Sequence, residues 1–178
     1  MDIYQVLKND HDELKEVLNE LCSLRNDDDY RFALIDQVRD LLIPHSRAEE
    51  SVFYNTLRAI NADHALKGHG FSEHMAAESL LRSLQAMDKL NASWKGTAEK
   101  LRDAVFDHIE SEGNEVFAEA RSALSPQEAD SIGSAFQSLK PKVQEQGVMK
   151  NTMDMVINMM PPRFADKIRN LGNDTARP

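Results

Sequence analysis

The amino-acid sequence predicts an all-α fold, an antiparallel up-and-down four-helix bundle with extra C-terminal helices, on three observations. Apolar residues recur at the three- and four-residue spacing of a helix with one buried face. Only 7 Gly and 6 Pro interrupt 178 residues rich in helix formers, and 41% of the chain is hydrophobic, enough for a real core. The connections between periodic stretches are short, which favours antiparallel neighbours.

Ile3, Val6, Leu7, Leu14, Val17, Leu18 and Leu21 place a first helix up to about Leu24, and "RNDDDY" after it is turn-like. A second helix carries Leu34, Ile35, Val38, Leu41, Leu42, Val52, Phe53, Leu57 and Ile60. Pro44 inside it removes a backbone donor and is expected to kink the helix just before His45. "NADHALKGHG" reads as a loop closed by two glycines and holding His64 and His69, with Ser72 or a neighbour capping a third helix. The third helix shows His74, Glu78, Leu81, Leu84 and Met87 on one stripe. After "NASWKG", whose Trp94 suits an anchor between helices, a fourth presents Leu101, Val105, His108, Glu112 and Val116.

Residues 1–122 thus form the bundle. "SPQE" at Ser125 to Glu128 is a capping box with Pro at the first helical position, opening a short packing helix within 123–147. Residues 148–178 are a Met-rich C-terminal helix and tail, with Pro161 and Pro162 ending the helical part. Its stripe Met149, Met153, Val156, Ile157 and Met160 suits packing against the bundle or against a second copy, giving a homodimer.

Composition narrows the function classes. A net charge of −9 argues against a nucleic-acid partner, because a phosphate backbone rewards a basic face. No apolar run approaches the roughly 20 residues of a transmembrane segment. The start, "MDIYQVLKNDHDELK", lacks the basic flank and apolar block of a signal peptide. The single Cys22 leaves no internal disulfide and fits a reducing compartment, so a cytoplasmic location is expected.

The chemistry lies on the buried stripes. His11 sits between Leu7 and Leu14, and His45 with Glu49, His74 with Glu78 and His108 with Glu112 occupy core positions on the next three helices. With 30 Asp or Glu in the chain, six histidines would meet about one acid four residues on by chance; four do, counting His69 with Glu73. A buried carboxylate without partners costs several kcal/mol, and a shared cation removes that penalty. Four imidazoles and three carboxylates without a thiolate suit iron or manganese better than a structural zinc. Seven ligands are too many for one ion. Two ions with bridging Glu49 and Glu112, a terminal Glu78 and a bridging oxo or hydroxo group leave about one of roughly twelve coordination positions open, where a small diatomic gas or peroxide would bind.

The order His, His-x-x-x-Glu-Glu, Glu-His and His-x-x-x-Glu before an apolar pair resembles the hemerythrin-like (HHE cation-binding) domains, over roughly Met1 to Arg121. The resemblance implies a four-helix bundle with a di-iron centre, with His11, His45, Glu49, His74, His108 and Glu112 on ligand positions. It also implies binding of, or reaction with, dioxygen, peroxide or nitric oxide, in oxidative or nitrosative stress or in sensing. Peroxide-degrading and nitric-oxide-handling activities are both compatible; so are an iron- or oxygen-sensing module without turnover, and iron storage. Glu78 stands where oxygen carriers have a second third-helix histidine, which disfavours reversible oxygen carriage. Gly113 replaces a second acid after Glu112. Some relatives carry a tyrosine at the position of Tyr54; a helical wheel points Tyr54 away from Glu49, into a surface or packing role, unless Pro44 turns the helix and makes it a further metal ligand.

Overall fold

A computed structural model describes residues 1–60, 64–87, 94–146, 159–161 and 164. Helix α1 (Ile3–Ser23) starts on Asp2, whose carboxylate accepts from the Gln5 backbone N–H at 2.9 Å. Helix α2 (Arg31–Glu49) continues through Pro44 and passes into a π-helical turn, Glu50–Tyr54, and then a short α3 (Asn55–Ala59). After α4 (His64–Ala86) comes α5 (Trp94–Ser111), with a second π-helical turn, Glu112–Val116, leading into α6 (Phe117–Ala123). Helix α7 (Pro126–Gln146) completes the set. Among the described residues there is no strand.

Packing runs α1 on α2, α2 on α4, α4 on α5 and α5 on α1, the closed ring of a four-helix bundle. Two apolar clusters fill it. One gathers Leu14, Leu18, Leu34, Leu42, Leu81, Trp94 and Leu101; the other gathers Leu7, Val52, Phe53, Leu57, Phe117 and Phe136. Between them, at the waist of the bundle, lie the buried histidines and glutamates. Trp94 pins the start of α5, its indole N–H donating to the Asn26 carbonyl at 3.0 Å.

Two expectations are corrected. The "NADHALKGHG" stretch is not a glycine-closed loop: α4 begins at His64, so Gly68, His69, Gly70 and Ser72 are helical, and Ser72 caps nothing. Asn61 to Asp63 lie outside the described residues. The packing helix after the "SPQE" box is not short: it has 21 residues, the same as α1. The box itself forms, with the Ser125 backbone N–H on Glu128 at 2.9 Å. Helix α7 lies against α1 and α2, and Gly133 makes the approach possible, since a Cβ there would meet the Met1 carbonyl oxygen at 2.4 Å. Most of the Met-rich stripe lies outside the described residues. Met160 and Phe164 are described, and both are buried in the chain's own cluster around Phe53 and Phe136.

Candidate metal centre

Each helix of the bundle delivers its polar residues to the waist from positions that would otherwise be apolar. His11, His45, Glu49, His74, His108 and Glu112 are all at most 6% exposed. Three groups of them bring ligand atoms within 4.8 Å of one another: His11, His45 and Glu49; His11, His108 and Glu112; Glu49, His74 and His108. His11, Glu49 and His108 each belong to two groups, as shared or adjacent ligands of neighbouring cations would.

A test of fit to a cation comes from hydrogen bonding. Nε2 of His11 and His45 and both oxygens of Glu49 and of Glu112 are buried with no hydrogen-bond partner among the described residues. Such orphans cost about 1–3 kcal/mol each, more when charged, so their convergence needs a compensating ligand. Nitrogen and oxygen donors without sulfur suit a first-row metal of the iron or manganese type. The residues fit.

Protonation follows from the same crowding. Burial opposes charge on Glu49, but the approach of the His108 and His74 imidazoles holds its carboxyl well below the usual range. Burial and the Glu49 charge push Glu112 well above it. Burial and the neighbouring His45 lower His11 to about 3, so its imidazole is neutral. His74, despite burial, is raised to about 9 by Glu49 and Glu50. An entering cation therefore meets Glu49 as a ready carboxylate and His11 as a ready imidazole, and displaces protons from Glu112 and His74.

An offset of 63 residues relates the two halves of the site: it takes His11 to His74, His45 to His108 and Glu49 to Glu112. The geometry repeats with it. Ring centroids are 4.9 Å apart for His11–His45 and 4.6 Å for His74–His108. Glu112 lies 3.4 Å from His11 Nε2, and Glu49 lies 3.2 Å from His74 Nε2.

Three carboxylates that the sequence reading passed over hold the outer nitrogens of three histidines. Asp10 meets His45 Nδ1 at 3.1 Å, Glu50 meets His74 Nδ1 at 3.0 Å, and Glu73 meets His108 Nδ1 at 2.9 Å. With Nδ1 taken from outside, Nε2 faces the centre. Each of these acids is the sequence neighbour of an inward residue, yet serves a histidine on the next helix. That adjacency, visible in "DH", "EE" and "EH", was the available signal. Lys140 of α7 donates to the same Asp10 oxygen at 2.7 Å, linking the added helix to His45.

Glu78 is placed differently from its expected terminal position. It is buried, but its carboxylate is taken by Arg47, at 2.8 Å, and by Arg82, at 2.9 Å, and it joins none of the three groups. Arg47 also holds Glu50 at 3.0 Å. Glu78 therefore acts through a chain, fixing Arg47, which fixes Glu50, which fixes His74.

Tyr54 is turned inward, against the helical-wheel expectation. On a regular helix it would lie about 140° from Glu49; the residue inserted by the π-helical turn takes back about 100°, leaving it roughly 40° away. The re-phasing comes from this turn and not from Pro44. The Tyr54 ring is 1% exposed and its centroid is 6.1 Å from that of His74. Burial and the Glu49 and Glu112 charges push the phenol strongly upward, so without a cation it keeps its proton. Gly70 makes room for it: a Cβ there would sit 2.5 Å from both the phenol oxygen and the carbon bearing it.

Comparison with known proteins agrees with this arrangement. The model of the hemerythrin HHE cation-binding domain matches residues 2–120. A crystal structure of a hemerythrin HHE cation-binding domain-containing protein from Mycobacterium kansasii superposes with a TM-score of 0.71, at 15% identity, covering 94% of this chain and 99% of that one. A Nostoc protein described as a DNA nickase is 26% identical over 145 residues. The match covers 82% of this chain but only 41% of the Nostoc relative's length.

Proposed function

Because the chain belongs to the hemerythrin HHE cation-binding family, we propose that it holds two iron ions at the waist of its bundle and uses them to bind or transform dioxygen, peroxide or nitric oxide. The observation that carries this reading is the convergence of six orphaned donor atoms from His11, His45, Glu49 and Glu112 in a site closed by His74 and His108. Glu49 and Glu112 would serve as shared carboxylates, His11, His45, His74 and His108 as terminal ligands, and Tyr54 as a seventh donor. Glu78 supports the set from outside. Iron supplies one-electron chemistry and a coordination position for a small ligand.

The protein's own share is selection and protection. Beside the imidazoles lies a small space of about 10 Å³, lined on its apolar side by Leu14, Leu42, Ala77, Val105 and Ile109. That is about one water sphere, so it admits a diatomic or a water-sized ligand and excludes larger substrates. Its apolar wall keeps bulk water from the metals, and the outer carboxylates keep the imidazoles aimed.

Anaerobic loading with ferrous iron, followed by elemental analysis and peroxide addition, tests the reading. Two irons per chain and a peroxide-dependent spectral change, absent in Glu49→Ala, are expected. One zinc per chain and no iron uptake would refute it. A sensing role is the second reading, favoured by the Lys140–Asp10–His45 link from a helix beyond the matched residues. In that case iron loading should change protease resistance within α7 without turnover. DNA nicking, the description of the Nostoc relative, is opposed by the net charge of −9. Relaxation of supercoiled plasmid by the iron-loaded chain but not by Glu49→Ala would reverse that judgement.

A further inference from the structure

Resting on the two-ion reading, we propose that the two ion positions are unequal, and that Glu50 on one half of the bundle and Gly113 on the other set the difference. Under the 63-residue offset Asp10 corresponds to Glu73, and both hold a histidine: Asp10 holds His45 and Glu73 holds His108. Glu50 corresponds to Gly113. Glu50 holds His74, whose counterpart is His11; the residue that should hold His11 has no side chain to do so. Among the described residues, no carboxylate stands on His11 Nδ1.

The group Glu49, His74 and His108 therefore has both imidazoles fixed from outside. The opposite group, around His11 and His45, has one fixed and one not. An imidazole whose Nδ1–H is held by a carboxylate is locked in the tautomer that presents Nε2, and its lone pair is more basic. An unheld imidazole must settle its orientation and tautomer when the cation arrives. Losing such an outer partner typically lowers metal affinity by about 10- to 100-fold. The Glu49–His74–His108 position, once the cation has displaced the His74 proton, holds its ion more tightly; the ion on the His11 side leaves first. Occupancy of the His11 position then varies over a range of metal concentration where the other position stays full.

Gly113 also offers the means to test this. A Cβ built on it meets nothing within 4 Å, so a longer side chain enters open space. By the step that carries Glu50 to His74, a glutamate at 113 reaches His11.

The chain of residues 1–178, stripped with chelator, is titrated calorimetrically with Mn²⁺ and its stoichiometry is fixed by elemental analysis. Two resolved steps are expected, the weaker by at least about tenfold. Gly113→Glu should tighten the weak step by about 10- to 100-fold and leave the tight step in place. Glu50→Gln should weaken the tight step and draw the two together, and it decides the matter alone if Gly113→Glu does not fold. Two ions entering in one unresolved step, or either variant failing to move its own step, overturns the inequality while leaving the two-ion reading intact. One ion per chain, or none, overturns both.

Discussion

The α1–α2 half and the α4–α5 half of the bundle present the same ligands at the same offset, but differ where the ligands end. Glu50 faces Gly113, Tyr54 faces Phe117, and Leu7 faces Gly70 across the 63-residue repeat. On one side a phenol reaches the centre, because Gly70 leaves a space that a Cβ would fill. On the other, Phe117 turns its ring to Tyr4, at 5.4 Å between centroids, and brings no oxygen. Among the described residues, helix α7 packs mainly on the α1–α2 side, and its Lys140 reaches Asp10 there. The repeated residues converge on the waist of the bundle; the unrepeated ones make its two halves differ there, and on the proposal above they would set two cation positions apart. Chemistry that needs two different metals, or one open and one closed position, has its origin in the second set.

Removing what the halves share should have the largest effect. Metal that binds the folded chain at about a thousand times its dissociation constant stabilises by about 4 kcal/mol, which for a chain of this size shifts the melting temperature by roughly 8–16 °C. Calorimetric melting of loaded and chelator-stripped protein should show a fall of that order. Glu49→Ala should show no difference between the two conditions. A stripped protein that melts where the loaded one does would mean that the orphaned donors at the waist are not coupled to folding.

Next in size is the exchange of features that differ. Gly70→Ala should destabilise by about 1–3 kcal/mol through overpacking against Tyr54, although Ala alone favours helix. If the phenol coordinates ferric iron, the oxidised protein is visibly coloured by charge transfer from it. Tyr54→Phe should then remove the band and keep both metals, and Gly70→Ala should shift or weaken it by displacing the ring. An unchanged visible spectrum in Tyr54→Phe would return that side chain to packing and make the halves more alike than their sequences.

What could be read from the sequence follows the same division. His11 and the three His-x-x-x-Glu pairs stood out because a polar residue on an apolar stripe carries a cost that periodicity alone exposes. Tyr54 was misplaced because no local residue pattern announces a π-helical turn, and one inserted residue moves everything after it by a quarter of a turn or more. Glu78 shares its spacing with Glu49 and Glu112, and spacing cannot tell that Arg47 on the neighbouring helix would claim it. Asp10, Glu50 and Glu73 were passed over since a wheel shows each helix alone, and each of these acids serves another helix. Gly68 and Gly70 read as a loop because glycine is a poor helix former, whereas packing around Tyr54 keeps Gly70 in α4.

The smallest expected effect separates bare tolerance from function at Gly113. A methyl group there touches nothing within 4 Å, and glycine inside a helix costs about 0.5–1 kcal/mol relative to alanine. Gly113→Ala should therefore stabilise the chain by about that amount in chemical denaturation, without moving either metal-binding step or the visible spectrum. The same substitution at Gly70, under the Tyr54 ring, should have the opposite sign. If Gly113→Ala were destabilising, the wide turn at Glu112–Val116 would depend on glycine for its backbone and the missing acid would be a structural need. A stabilising Gly113→Ala instead shows that the backbone accepts a side chain there, so the lack of a carboxylate beside His11 is a property of the metal centre and not of the helix.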